Sequence, residues 1–99
     1  MADSPVTVIA RLKAKPGAQA RVRQELMGLL APTRSEKGCI NYDLHQSQAD
    51  DSLFMFHENW ASQEDLDMHL MSPHLKRWRQ LAAELLAEPL DLTLWRRVD

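Results

Sequence analysis

The sequence predicts an α+β fold of the ferredoxin-like type, in which a four-stranded antiparallel sheet carries helices on one face. Two observations support this prediction. Segments whose apolar residues alternate, as in strands, are separated by segments whose apolar residues recur at helical spacing. Their order is strand, helix, strand, strand, helices, strand, which is the ferredoxin-like order. The 99 residues contain no linker or repeat, so residues 1–99 are predicted to form a single domain.

Four segments are predicted to be strands, and they cover residues 6–13, 39–47, 53–60 and 90–98. The first, second and fourth alternate in polarity, and the first is rich in β-branched residues, whereas the third is apolar on both faces at its start. A short polar turn separates the second from the third, so these two are expected to form an antiparallel hairpin. Within the second strand, alternation predicts that Ile40, Tyr42 and Leu44 share one face.

The helical segments lie between these strands. Apolar residues at helical spacing predict one helix over residues 18–31. Ser62 is followed by acidic residues and is expected to cap the start of a second, short helix. Ser72 followed by Pro73 predicts a last helix, with the serine as its cap and the proline at its first position.

Apolar residues occupy both faces of the third and fourth predicted strands. In the third strand, Leu53 and Met55 face one way and Phe54 and Phe56 the other. A lone sheet with helices on one face would expose its second face to water. We therefore expect a second copy of the chain to cover that face in a two-fold dimer. The alternative is a monomer with a few exposed aromatic residues.

Composition and charge exclude several classes of protein. The net charge is −2 and the basic residues are spread along the chain, which argues against nucleic acid as a partner. No apolar run approaches the roughly 20 residues that a membrane helix needs, so no membrane association is expected. The first residues lack the pattern of a signal peptide, and Cys39 is the single cysteine. A cytoplasmic protein without an internal disulfide is predicted.

Short segments spread along the chain resemble those of a known family. They are Lys15-Pro16-Gly17, Gly38-Cys39-Ile40-Asn41-Tyr42 and Glu58-Asn59-Trp60, followed by Leu66, His69, Ser72 and His74. In their order and spacing, over nearly the whole chain, they resemble the antibiotic biosynthesis monooxygenase domain. This family consists of small dimeric α+β-barrel proteins and includes quinol monooxygenases.

The resemblance implies a fold, a pocket and a type of reaction. Two sheets would meet in a central barrel, and each subunit would hold a pocket between its sheet and its helices. The implied function is oxidation of a quinol or a related phenolic molecule by O₂, without a metal, flavin or haem cofactor, because the substrate supplies the electrons. Such a site needs a base near neutrality, hydrogen-bond donors for an oxyanion, and an apolar aromatic wall.

The resemblance also nominates site residues. His69 is expected to be the base, since the ordinary pKa of histidine is close to neutrality, and Glu58 or His74 would orient the substrate. The expected substrate-binding residues supply hydrogen bonds or aromatic walls: Asn41, Tyr42, His57, Asn59, Trp60 and Trp78.

Each of these candidates has a structural alternative. Tyr42 and Trp60 would also suit the core or an interface. His69 lies on an apolar helix face, where an isolated histidine is commonly structural. Glu58 lies among apolar neighbours, so it needs either a raised pKa or a partner. The alternative to a functional role is a salt bridge from Glu58 to an arginine, for which the candidates are Arg11, Arg96 and Arg97.

Metal and haem sites are not expected. His57 and Glu58 are adjacent on a strand and point to opposite faces. His69 and His74 lie on either side of the break at Ser72-Pro73, and they are not the i, i+4 pair of helical zinc sites. The haem-degrading branch of the family uses an Asn, a Trp and a His, where this chain has Ala10 or Arg11, His69 and Arg79.

Two other functions stay open at this level. One is a non-oxidative isomerase or tautomerase that uses the same pocket and base. The other is a dimer that binds a small ligand without reaction. Fold alone does not decide among the three.

Overall fold

Four antiparallel strands form one sheet in the computed structural model, which describes residues 4–99. The strands are β1 (Val6–Lys13), β2 (Cys39–Gln46), β3 (Leu53–Trp60) and β4 (Asp91–Trp95). Their order across the sheet is β2-β3-β1-β4, so the predicted hairpin of β2 and β3 and the ferredoxin-like arrangement are confirmed. The last strand is shorter than the predicted span 90–98, and residues 96–99 lie outside it and are exposed.

The helices are α1 (Gln19–Met27), α2 (Leu30–Arg34), α3 (Gln63–Leu70) and α4 (Pro73–Leu85). The prediction of one helix over 18–31 was wrong, because the chain interrupts it at Gly28 and Leu29. Glycine is a poor helix former, and a proline cannot donate to the carbonyl four residues before it. Pro32 is therefore tolerated only because α2 starts afresh at Leu30 and places the proline in its first turn.

The two serines predicted as caps behave differently. The Oγ of Ser62 accepts a hydrogen bond from the backbone N–H of Asp65 at 3.1 Å, so this cap is confirmed. Ser72 occupies the position before α4 and Pro73 begins that helix, but its side chain makes no capping bond. The Ser72 hydroxyl lies instead 3.3 Å from Nε2 of His74. The predicted places of Ser72 as the N-cap residue and of Pro73 at the start of the helix are confirmed, although Ser72 caps without a side-chain bond.

The core lies between the helices and one face of the sheet. Burial along β3 alternates strictly, and Phe54, Phe56, Glu58 and Trp60 are the buried positions. The equivalent face of β1 supplies further buried apolar residues, and α1, α3 and α4 cover them. Each large apolar side chain buried in this way stabilises the fold by about 1.5–3 kcal/mol.

A bulge in β2 changes the predicted facing of its first residues. Cys39 pairs with Trp60 and Asn41 with Asn59, so Ile40 is an extra residue without a partner in the ladder. An extra residue breaks the alternation of side chains. Ile40 is consequently 61% exposed, and the prediction that it shares a face with the buried Tyr42 was wrong.

The second face of the sheet carries a mixed surface. Leu53 and Met55 on β3 are half-buried there, and Trp95 on β4 is 58% exposed. The described helices pack on the opposite face, where the core lies. The structure contains one chain, so the covering of this face by a second copy stays a prediction.

Among residues 4–99, no helix is long and apolar enough to cross a membrane. The longest, α4, has 13 residues.

Two glycines provide a matched test of the turn before β2. Gly17 and Gly38 both have positive φ, at 86° and 82°. An alanine at either pays about 1–2 kcal/mol for that backbone conformation. At Gly17 the added Cβ would meet nothing within 4 Å, whereas at Gly38 it would overlap Asp65 in the first turn of α3. We expect Gly38→Ala to lower the free energy of unfolding by about 2 kcal/mol more than Gly17→Ala. Urea denaturation measures this, and equal losses would contradict the close packing of Gly38 on α3.

Candidate functional site

A cavity of about 590 Å³ lies between the helix-facing side of the sheet and helices α3 and α4. Its position is the one that the family resemblance implies. Most of its wall is apolar, which is typical of sites for small organic ligands. The wall includes residues from β1, β3, α3, α4 and the segment after α4, among them Ala10, Leu12, Phe56, Leu70, Leu75, Trp78, Ala82 and Leu86.

Three buried side chains bring polar atoms to this wall. They are Tyr42 from β2, Glu58 from β3 and His69 from α3, and none is more than 4% exposed. Tyr42 and Glu58 are direct cross-strand partners, so their side chains leave the sheet side by side. Arg79 and Glu88, both exposed, also line the cavity. An apolar cavity with a few convergent polar groups is the usual form of a binding or active site.

Trp60 contacts two of these polar groups, Glu58 and His69, from the side away from the cavity. Its indole Nε1–H donates a hydrogen bond to Oε1 of Glu58 at 2.9 Å. The imidazole ring of His69 packs on the indole, with 4.5 Å between the ring centroids, and meets Tyr42 edge-on at 5.4 Å. Trp60 itself is 0% exposed and does not form part of the cavity wall. It therefore supports the site, while Trp78 lines the cavity directly.

The carboxyl group of Glu58 is a weaker acid than an ordinary glutamate. Burial raises the pKa of Glu58 to about 7, opposed by the hydrogen bond from Trp60 and assisted by the nearby charge of Glu36. Among the described residues Glu58 forms no ion pair, so the salt bridge to an arginine that the sequence left open is not made. At neutral pH this carboxyl group exists in both protonation states, as suits a group that takes part in proton chemistry.

His69 is shifted toward its neutral form. Burial lowers the pKa of His69, while the hydrogen bond and charge of Glu36 raise it and the charges of His74 and Arg79 lower it. Its Nδ1 lies 3.1 Å from Oε2 of Glu36. A buried imidazole that is neutral at pH 7 can accept a proton.

Glu36 is the residue of this site that the sequence reasoning missed. It lies in the turn between α2 and β2, and its Oε2 is also 2.6 Å from Nε2 of His74. The segment that carried the resemblance begins at Gly38, two residues later. An acid next to that segment was a possible signal, but its contact with His69, 33 residues away, depends on the tertiary fold.

The cluster of Glu36, His69 and His74 contains residue types that bind metals, and one atom of each lies within 4.8 Å of the others. The sequence analysis assumed that the break at Ser72-Pro73 keeps His69 and His74 apart, but the structure brings them together. Two of the separations, 3.1 and 2.6 Å, are hydrogen-bond distances to one carboxylate oxygen. The cluster is thus satisfied without an ion, and the absence of a functional metal stays a prediction.

Three of the predicted substrate-binding residues lie on the other face of the sheet. The Nδ2 of Asn59 donates to Oδ1 of Asn41 at 2.8 Å, and the Nδ2 of Asn41 donates to the backbone oxygen of His57 at 3.1 Å. On β3, His57 and Asn59 alternate with Phe56 and Glu58, and only the latter two line the cavity. Within one chain they do not reach a ligand in this cavity, and any role for them in binding stays a prediction.

Comparison with known proteins decides the family. Residues 5–81 match the family model described as antibiotic biosynthesis monooxygenase. This chain belongs to the antibiotic biosynthesis monooxygenase family. The chain is 40% identical over 96 residues to "Putative monooxygenase Rv0793" of Mycobacterium tuberculosis, with 97% of this chain and 94% of that protein covered. It is 31% identical to "Probable quinol monooxygenase YgiN" of Escherichia coli, over 76% of this chain and 82% of that protein.

A solved structure shares the fold of this chain over its whole length. The structure of PA3566 from Pseudomonas aeruginosa superposes with a TM-score of 0.93 at 33% identity, covering 100% of this chain and 99% of that one. The resemblance to this family that the sequence alone indicated is confirmed.

Replacing Glu58 by glutamine should stabilise the protein above neutral pH. Below pH 4.5 the carboxyl group is protonated in the folded and unfolded states alike. Between 4.5 and about 7 the unfolded chain releases its proton first, so the stability of the wild type falls as the pH rises. We expect Glu58→Gln to match the wild type near pH 4.5 and to exceed it at pH 8 by up to about 3 kcal/mol.

Urea denaturation at fixed protein concentration at both pH values measures this difference. Glu25→Gln is the control, because the hydrogen bond from Arg21 lowers the pKa of Glu25, so its replacement should stabilise the fold at neither pH. A Glu58→Gln variant that is less stable than the wild type at pH 8 would contradict the unpaired, buried carboxyl group.

Proposed function

We propose that this protein is a monooxygenase that oxidises a quinol or a related phenolic molecule with O₂ and needs no metal, flavin or haem. The observation that supports this most is the apolar cavity of about 590 Å³, whose buried polar groups are Tyr42, Glu58 and His69. Membership of the family, and a relative named as a quinol monooxygenase, favour this reaction. A phenolic substrate supplies the electrons, so the protein supplies proton transfer, orientation and exclusion of water.

His69 takes the role of general base. Its neutral imidazole accepts the phenolic proton, a step for which a group near neutrality is effective. The indole of Trp60 on one side and the edge of Tyr42 on another fix the plane of the ring. His69 is 2% exposed, so solvent competes little with the substrate for the basic nitrogen.

Glu58 orients the substrate. Its Oε1 is occupied by the indole N–H of Trp60, and its carboxylate accepts a further hydrogen bond from a second substrate hydroxyl. Trp78 and Phe56 provide aromatic surface against which the ring of the substrate packs. His74 was predicted to orient the substrate, but it does not line the cavity. In this proposal His74 instead holds Glu36.

The reaction then follows from the chemistry of the phenolate. Loss of the proton to His69 leaves an electron-rich anion, which passes one electron to O₂. The substrate radical and superoxide combine into a carbon–oxygen bond. The resulting peroxide takes back the proton from His69. Loss of the C–H proton from the same carbon then breaks the O–O bond, so one oxygen atom stays on the carbon as a carbonyl and the other leaves as hydroxide, which combines with that proton to form water.

A second copy of the chain completes the protein in this proposal. The half-buried apolar residues of β3 and the exposed Trp95 share the sheet face that is opposite the cavity. Joining two such faces removes them from water and forms the barrel that the family resemblance implies. A cytoplasmic location is part of the same proposal.

Oxygen uptake by metal-stripped protein, with a panel of quinols and anthrones, tests the reaction. We expect uptake that saturates with substrate and falls about 100-fold or more in His69→Gln, because the general base is lost. His45→Gln, which changes an exposed histidine at the end of β2, is the matched control and should keep the wild-type rate.

Two results would contradict the proposal. Uptake equal to uncatalysed autoxidation across the panel would exclude the oxygenase for these substrates. Conversion of a substrate at the same rate without O₂ would favour the isomerase that uses the same base.

Light scattering after size-exclusion chromatography tests the dimer. We expect twice the chain mass of 11.4 kDa for the wild type and the single mass for Trp95→Glu, because a charge would be buried at the interface. Met68→Glu, at a 70% exposed position on α3, should stay dimeric. A wild-type protein of single mass at micromolar concentration would refute the dimer.

A further inference from the structure

We propose that Glu36 is a positioning residue of this site, which holds His69 in the tautomer with its proton on Nδ1 and so leaves Nε2 as the basic atom. The effect of Glu36 on catalysis rests on the proposed function, but the tautomer of His69 is a property of the free protein.

The hydrogen-bonding chemistry of the cluster fixes the tautomer. Oε2 of Glu36 lies 3.1 Å from Nδ1 of His69 and 2.6 Å from Nε2 of His74. An ionised carboxylate only accepts hydrogen bonds, so both nitrogens that face it must donate. A neutral imidazole carries one N–H, and Nε2 of His69 is therefore left with its lone pair free.

The burial of the three residues explains why Glu36 needs a second partner. His69 is 2% exposed, whereas the side chains of Glu36 and His74 are 19% and 21% exposed. A partly exposed carboxylate in a turn can rotate into water unless a second bond holds it. His74 supplies that bond from the first turn of α4, so the turn before β2, α3 and α4 all fix one oxygen atom.

The charges around His69 give Glu36 a further effect. His74 and Arg79 disfavour a positive charge on His69, as does burial, while Glu36 favours it. Glu58 and Tyr42 face the same cavity from the sheet. When His69 takes a proton from substrate, the carboxylate of Glu36 stabilises the imidazolium that forms. A carboxylate behind a catalytic histidine commonly acts in this way.

A purely structural role is the alternative. Glu36 would then only tie α3 and α4 to the turn, and its removal would lower stability without a defined effect on the proton of His69. The tautomer of His69 and its response to substitution separate the two roles.

Imidazole ¹⁵N NMR of the substrate-free protein measures the tautomer. At pH 8 we expect His69 to show a protonated Nδ1 and an unprotonated Nε2. In Glu36→Ala the population should move to the Nε2–H form, and the pKa of His69 should fall because the favourable charge is gone. Glu25→Ala removes a carboxylate from α1 that is paired with Arg21 and Arg77, and it should change neither property.

A second variant covers the case in which Glu36→Ala does not fold. Glu36→Gln keeps an acceptor oxygen but loses the charge, so it should keep the Nδ1–H tautomer and still lower the pKa of His69. A wild-type His69 in the Nε2–H form would overturn the proposal. An unchanged pKa of His69 in both Glu36 variants would overturn it as well.

Activity gives the catalytic readout. Where the wild type consumes oxygen, Glu36→Ala should lower kcat at least tenfold with little change in KM, whereas an unchanged kcat in folded protein would leave Glu36 structural and overturn the proposal. If no substrate in the panel is oxidised, the NMR result still decides the tautomer, so failure of the proposed function and failure of this inference are distinguishable.

Discussion

The hydrogen bond from Trp60 to Glu58 is the interaction on which the site depends. It links a buried carboxyl group to a fully buried indole, and the imidazole of His69 packs on that same indole. Two titratable groups are thereby held almost wholly buried in the cavity wall, and burial shifts each toward its neutral form. A fold selected for stability alone would place an apolar side chain at Glu58, because burying an ionisable group without an opposite charge is costly.

The sequence predicted the sheet and its core well, because alternation along a strand reports directly on burial. It placed His57 and Glu58 on opposite faces, and the strict alternation of β3 confirms this. The same pattern could not say which face meets the helices, so residues from both faces, such as Asn59 and Tyr42, were predicted to bind substrate. That choice depends on how the helices pack, which no single strand encodes.

Each failure of prediction has an identifiable physical cause. The bulge at Ile40 adds one residue to β2, and alternation has no means of showing an insertion. The apolar residues keep helical spacing through Gly28, but the helix breaks there because Pro32 fits only in the first turn of a new helix. Glu36 was missed because it is a turn residue whose importance arises from contacts with α3 and α4, distant in sequence. The site thus depends on tertiary proximity more than on motif.

The central claim is that the ligand lies in the cavity between sheet and helices, against the Trp60–Glu58–His69 cluster. The three tryptophans report on this directly, since Trp60 supports the cavity, Trp78 lines it and Trp95 lies on the other face of the sheet. Titrating ¹⁵N-labelled protein with a redox-inert phenol should shift the indole N–H signals of Trp60 and Trp78 saturably and leave that of Trp95 unchanged. A saturable shift of Trp95 alone would place the ligand on the outer face and contradict the account.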